Sequence, residues 1–151
     1  MRVTVIVGVD GAGRTHRLDE LATAAPGKSV RVSPAVSAAE LVASLESAAA
    51  AGSLVLVDDA HRLDSETLRI LVAAARAGQP MAIARRPTLV RPELAELDEV
   101  VAGGGAVEQL VPLDAAALAG LVRTVLGRPG SAEVVDALLT ASAGLPAIAA
   151  A

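Results

Sequence analysis

Val3 to Thr15 reads V-T-V-I-V-G-V-D-G-A-G-R-T, a β-branched apolar run that ends in a glycine-rich turn. The turn matches the pattern G-x-x-x-x-G-K-[S/T] at Gly8, Gly13 and Thr15, with Arg14 standing where the pattern has lysine. A loop of this kind directs successive backbone N–H groups and a helix N-terminus at a polyphosphate, and glycine lets the chain approach that closely. The expected binding positions are Gly8, Asp10, Gly11, Ala12, Gly13, Arg14, Thr15 and His16. Thr15 is expected to place its hydroxyl on Mg²⁺. Arg14 keeps the lysine's positive charge in a larger, forked group, so binding is expected to survive while altered geometry slows hydrolysis. The competing reading is an ordinary strand-to-helix turn in a chain that has 13 glycines.

The residues on either side supply the context such a loop requires. Val3, Val5, Ile6 and Val7 read as a central parallel strand covered on both faces. A helix from about Gly13 to Ala24 follows, with Leu18, Leu21 and Ala22 at helical spacing and Pro26-Gly27 as its stop. Lys28 to Val32 alternates as a second strand. Ser37-Ala38-Ala39-Glu40 is a capping box that opens a helix running through Ala51 to Gly52. Leu54 to Val57 is a third strand. The stripe Leu68, Leu71, Val72 and Ala75 predicts a helix from about Asp64 to Ala77, stopped by Gly78. Met81 to Ala84 is a fourth strand, Pro92 to Leu97 a short helix and Val107 to Val111 a fifth strand. Beyond Pro112 only helices follow, Asp114 to Leu126 and Ser131 to Ala143, with Asp114 and Ser131 as N-caps. The expected fold is therefore an α/β parallel sheet of about five strands over residues 1–111, followed over 112–151 by the start of a helical lid.

The third strand runs directly into Asp58-Asp59. Phosphoryl-transfer sites hold Mg²⁺ with an acid at the end of a strand neighbouring the phosphate loop, and an adjacent acid or polar group positions the attacking water. Asp58 fits the first role and Asp59 the second, although aspartate is one methylene shorter than the more usual glutamate. Two acids after an apolar strand are otherwise a solvated helix cap. His61 lies near these acids, and structural use is favoured there over metal ligation.

The stretch V-L-V-D-D-A-H-R-L-D-S-E-T-L from Val55 to Leu68 resembles the Walker B region of signal-transducing P-loop ATPases, the STAND class related to AAA+ proteins. It is especially similar to the ATPase region of large LuxR-family transcriptional regulators. The resemblance runs from Val3 to Pro146 and implies a P-loop NTPase fold with ATP and Mg²⁺ as cofactors. It makes Gly8 to Thr15 the Walker A motif and Asp58 the Mg²⁺-associated acid. Arg86, before Pro87, stands at the place of the family's sensor arginine, with Arg85 as the alternative. Gly144-Leu145-Pro146 is similar to the family's G-x-P element, which implies that Pro146 lies near the adenine. The family's DNA-reading domain is C-terminal, so DNA is an expected partner only through a domain beyond Ala151, and the end within an Ala-rich segment reads as a truncation.

Composition narrows the remaining classes. The 151 residues contain no Phe, Tyr, Trp or Cys and carry a net charge of −4. Direct nucleic-acid binding lacks both stacking platforms and basic attraction, and a disulfide framework or thiolate metal site is excluded. No run is long and apolar enough for a membrane span, so a soluble protein is expected, with the cytoplasm as the default compartment; ATP or ADP is the expected ligand from the loop and the resemblance, self-association remaining open. Two alternatives stay open. One is a scaffold whose degenerate loop binds no nucleotide. The other, a dinucleotide oxidoreductase, is disfavoured because Gly11-Ala12-Gly13-Arg14-Thr15-His16 lacks the last glycine of its fingerprint and Val30 to Ser33 offers no acid for a ribose.

Overall fold

The computed structural model describes residues 3–88 and 91–151. Its elements are β1 (Val3–Val7), α1 (Arg14–Ala24), β2 (Ser29–Val32), α2 (Ala38–Ala51), β3 (Leu54–Val57), a 3-10 turn (Ala60–Arg62), α3 (Ser65–Arg76), β4 (Met81–Arg85), α4 (Pro92–Ala102) and β5 (Ala106–Gln109), then α5 (Ala115–Leu126), α6 (Ala132–Ser142) and α7 (Pro146–Ala149). The chain divides into two compact units. One contains the chain up to Gly8 together with Arg14–Gln109, the other Val9–Gly13 and Leu110–Ala151.

In the first unit all five strands are parallel, in the order β2-β3-β4-β1-β5. Every residue of β1, β3 and β4 is buried, which explains why their sequences are apolar but for Thr4 and Arg85: both faces are covered, so alternation has no solvent side to mark. Val3, Val5, Val7, Val55, Val57, Met81 and Ile83 face one core with Leu41 and Leu45 of α2, Leu68, Leu71 and Val72 of α3, and Leu94, Leu97 and Val101 of α4. α1 packs against the sheet at β4, β1 and β3 and buries Leu18 and Leu21.

Local chemistry sets the helix ends. Ser37 accepts a hydrogen bond from the Glu40 N–H, the Glu40 carboxylate accepts from the Ser37 N–H, and Gly52 closes α2 in the left-handed conformation at φ 62°. Asp64 caps α3 by accepting from Thr67 N–H at 2.7 Å.

Three expectations need correction. β1 is not central: β4 occupies the middle of the sheet and separates β1 from β3. Consequently Asp58 ends a strand one removed from the glycine turn rather than its neighbour. The helix starting at Pro92 does not stop at Leu97 but runs to Ala102, because Leu94, Leu97 and Val101 continue one buried stripe. The fifth strand ends at Gln109 rather than Val111, since its register with β1 runs out where Val7 meets Gln109.

In the second unit, α5 is capped by Asp114, whose carboxylate accepts from Ala117 N–H at 2.8 Å, and α6 by Ser131, whose hydroxyl accepts from Val134 N–H. Leu118, Val122 and Val135 form its buried apolar positions. No helix among the described residues is long and apolar enough to cross a membrane.

Candidate functional site

The end of β1, the first turn of α1 and the end of β3 bring four candidate side chains together in the first unit. Thr15 Oγ1 donates to Asp58 Oδ2 at 2.7 Å. Arg14 spans two acceptors: Nη1 donates to the Gly8 carbonyl at 2.5 Å and Nη2 to Asp59 Oδ1 at 2.8 Å. The Arg14 side chain is only 10% exposed, so this pair is shielded from water more than a surface ion pair is. Asp58 is fixed on its other side, where Oδ1 accepts from the Asp59 N–H at 2.9 Å.

Asp59 itself has φ 48°, one of two non-glycine residues with left-handed backbone among the described residues. Aspartate tolerates that region better than most residues, and a chain held there commonly marks a functional turn. His61 supports the turn. Its Nδ1 accepts from Arg86 N–H at 3.3 Å and lies 4.0 Å from Asp59 Oδ1.

In the second unit, Gly11 and Gly13 have φ of 81° and 90°, conformations that side chains rarely adopt. A methyl at Gly11 would meet Leu145 and Ala147 only at ordinary contact distance, so backbone conformation rather than space demands glycine there. The Ala147 N–H donates to the Gly11 carbonyl at 3.2 Å, and Ala12 N–H to Val9 carbonyl at 3.2 Å. Pro146, at the first position of α7, thus follows the residue that packs on Gly11.

The remaining candidates differ in exposure. His16 is exposed, with Nε2 3.4 Å from Glu20 one turn along α1, and Asp10 is exposed. Arg86 is exposed as well. Arg85, its alternative, is buried and holds both oxygens of Asp98, at 2.9 and 2.7 Å. That pairing ties β4 to α4.

Three arginines around the acids escaped the sequence reading. Arg31 of β2 places Nη1 3.6 Å from Asp58 Oδ2, and Arg62 lies 3.9 Å from Asp59 Oδ2. Arg91, at the start of α4, donates through Nη1 to the carbonyls of His61 and Leu63, at 3.1 and 2.6 Å, and so clamps the segment after the acids. The Arg-Pro dipeptide before α4 was a signal for its cap, but nothing in it indicated a reach to His61.

The donor set suits Mg²⁺. A hydroxyl and a carboxylate converge, while among the described residues no group of three His, Cys, Asp or Glu is placed to hold a metal. Mg²⁺ is typically held by one or two protein oxygens, with waters and phosphates completing its octahedron.

The fold has structural relatives. The RuvB Holliday junction branch migration motor of Thermotoga maritima matches with a TM-score of 0.72 at 18% identity, over 99% of this chain and 52% of that one. The fold is that of a P-loop NTPase. The same P-loop fold relates the chain to a Signal Transduction ATPase with Numerous Domains carrying a tetratricopeptide repeat sensor, from Pyrococcus horikoshii, with a TM-score of 0.62, 17% identity, and coverage of 96% of this chain and 26% of that one. A katanin structure matches with a TM-score of 0.58 and 18% identity, over 94% of this chain and 57% of the other. The chain thus spans about half of RuvB's length. No protein-family model matches the sequence, and no curated protein is similar to it in sequence.

Proposed function

We propose that this chain is an ATP-binding module that works as a nucleotide-dependent switch, with slow hydrolysis, in a cytoplasmic signalling or transcriptional regulator of the STAND or LuxR type. The observation that carries the reading is the junction of Thr15 with Asp58 and of Arg14 with both Gly8 and Asp59. Residues 1–111 would form the nucleotide-binding part and 112–151 a lid, with Pro146 near the adenine. DNA contact would come from another domain, and self-association fits the same role.

Thr15 and Asp58 would hold Mg²⁺, which supplies charge neutralisation on the phosphates. Gly8, Asp10, Gly11, Ala12, Gly13 and His16 would be the further nucleotide-binding positions, and Arg14 would offer its fork to the outer phosphates. Asp59 accepts a hydrogen bond from the attacking water and aims it. The water oxygen would bond to the terminal phosphorus as the bridging P–O bond breaks, ADP leaving with that electron pair and the water's proton passing to the released phosphate. Arg86 stands as the residue sensing the terminal phosphate.

Arg14 gives the switch its character. A guanidinium bound to Asp59 occupies the carboxylate that must aim water, so the arginine has to exchange Asp59 for phosphate before hydrolysis begins. Substituting Arg14→Lys should therefore raise ATPase turnover. The same occupied fork is what a non-binding scaffold would retain, and thermal melts separate the two readings. ATP at 100 times its dissociation constant should stabilise the fold by about 2.7 kcal/mol, whereas a melt unmoved by ATP, ADP and GTP favours the scaffold.

A further inference from the structure

We propose that Arg31 is a positioning residue for the metal-holding acid: its guanidinium, tethered by Asp19, competes with a divalent cation for Asp58 and sets how tightly that cation is held. The inference rests on the reading of Asp58 as a metal ligand. Arg31 precedes the last residue of β2 and stands in register with Leu56. Val32 turns into the core, so strand alternation sends Arg31 to the opposite face. There Nη2 donates to Asp19 Oδ1 of α1, and Nη1 lies 3.6 Å from Asp58 Oδ2.

The Asp58 oxygen facing Arg31 is the one that accepts the Thr15 hydroxyl at 2.7 Å. A cation shared by Thr15 and Asp58 therefore meets a fixed positive charge that already claims the same oxygen. Asp19 offsets part of that charge and holds the guanidinium in place. Arg31, Val32, Ser33, Pro34, Asp58 and Asp59 line an open cleft, and the Arg31 side chain is 40% exposed, so water and salt weaken the competition without abolishing it.

Mn²⁺ titrated alone into the full chain, with the free ion followed by electron paramagnetic resonance, tests this directly. Arg31→Gln should bind Mn²⁺ about three- to tenfold more tightly than the wild type, and the charge-keeping Arg31→Lys within about twofold of it. Asp19→Asn should shift affinity the other way, by about two- to threefold. Arg76→Gln makes the same charge change on α3, where Arg76 pairs with Glu96, and should leave affinity within about twofold. Equal tightening by Arg76→Gln, no tightening by Arg31→Gln, or no bound Mn²⁺ in either wild type or Arg31→Gln would overturn the role. ATP titrated with Mg²⁺ judges the nucleotide reading separately. Binding there alongside unmoved Mn²⁺ affinities sinks Arg31 alone, and absent ATP binding sinks the nucleotide reading while the metal titration still decides for Arg31.

Discussion

Arg14 and Arg85 are both nearly buried, at 10% and 9% side-chain exposure, and each pairs with an aspartate of the first unit. Gly8 links them, accepting from Arg14 through its carbonyl and donating its N–H to the Arg85 carbonyl at 3.2 Å. Their bonding differs. One nitrogen of Arg85 holds both oxygens of Asp98, a closed pair between a strand and a helix. Arg14 divides its fork between a main-chain carbonyl and an acid whose backbone is left-handed. A closed pair spends its bonding capacity on the scaffold, whereas a divided one can trade partners with a ligand at little structural cost.

Breaking the two pairs should therefore give opposite profiles. Asp98→Ala strands a buried guanidinium, and urea unfolding should show a loss of about 2–3 kcal/mol, just under the range of about 3–5 for fully buried pairs because Asp98 is itself 43% exposed. Nucleotide affinity should barely change. Arg14→Ala should reverse that: about 1 kcal/mol of stability, from the unpartnered Gly8 carbonyl, against at least about tenfold in ATP affinity by calorimetry.

The backbone at Asp59 sharpens the contrast. Asp59→Gly and Asp59→Ala both lose the bond to Arg14, but only alanine must hold φ 48°, so the glycine variant should be more stable by about 1 kcal/mol in urea. If they melt together, the turn carries no strain.

The smallest effect concerns an arginine pair that serves only the fold. Arg17 donates to both oxygens of Glu108, at 2.7 and 3.0 Å, joining α1 to β5. Those hydrogen bonds hold the Glu108 carboxyl below its ordinary value of 4.5. A depressed folded-state value means that the stabilisation is full above the unfolded value and disappears as pH falls through the folded one. Glu108→Gln should cost about 0.5 kcal/mol near pH 7, discounted for the pair's exposure, and the gap from wild type should close as pH falls through the depressed folded-state value. A gap that persists in acid would assign the loss to packing.

Much of this was legible because local rules were strong. Parallel strands buried on both faces are mostly apolar, so Val3–Val7, Leu54–Val57 and the Met81–Ala84 part of β4 declared themselves, and the Ser37–Glu40 box located α2 from its caps. The order of parallel strands was not legible, because crossovers leave no mark in a strand's own sequence, and β4 slipped between β1 and β3. Arg31 was invisible for a related reason. In a short alternating strand a charged residue reads as the solvent face, and only the register beside β3 brings it to Asp58. Gly8, Thr15 and Asp58 were singled out by their motifs as candidates, but the Arg14–Asp59 bond joins residues 45 positions apart and needed the fold.

The central claim, that Thr15 and Asp58 hold the metal of a bound nucleotide, is tested most directly by calorimetric titration of ATP with Mg²⁺. The wild type should bind at one site, and Thr15→Ala and Asp58→Ala should each weaken binding at least about tenfold. Unchanged affinity in both variants, or no binding heat from ATP in the wild type, would contradict it.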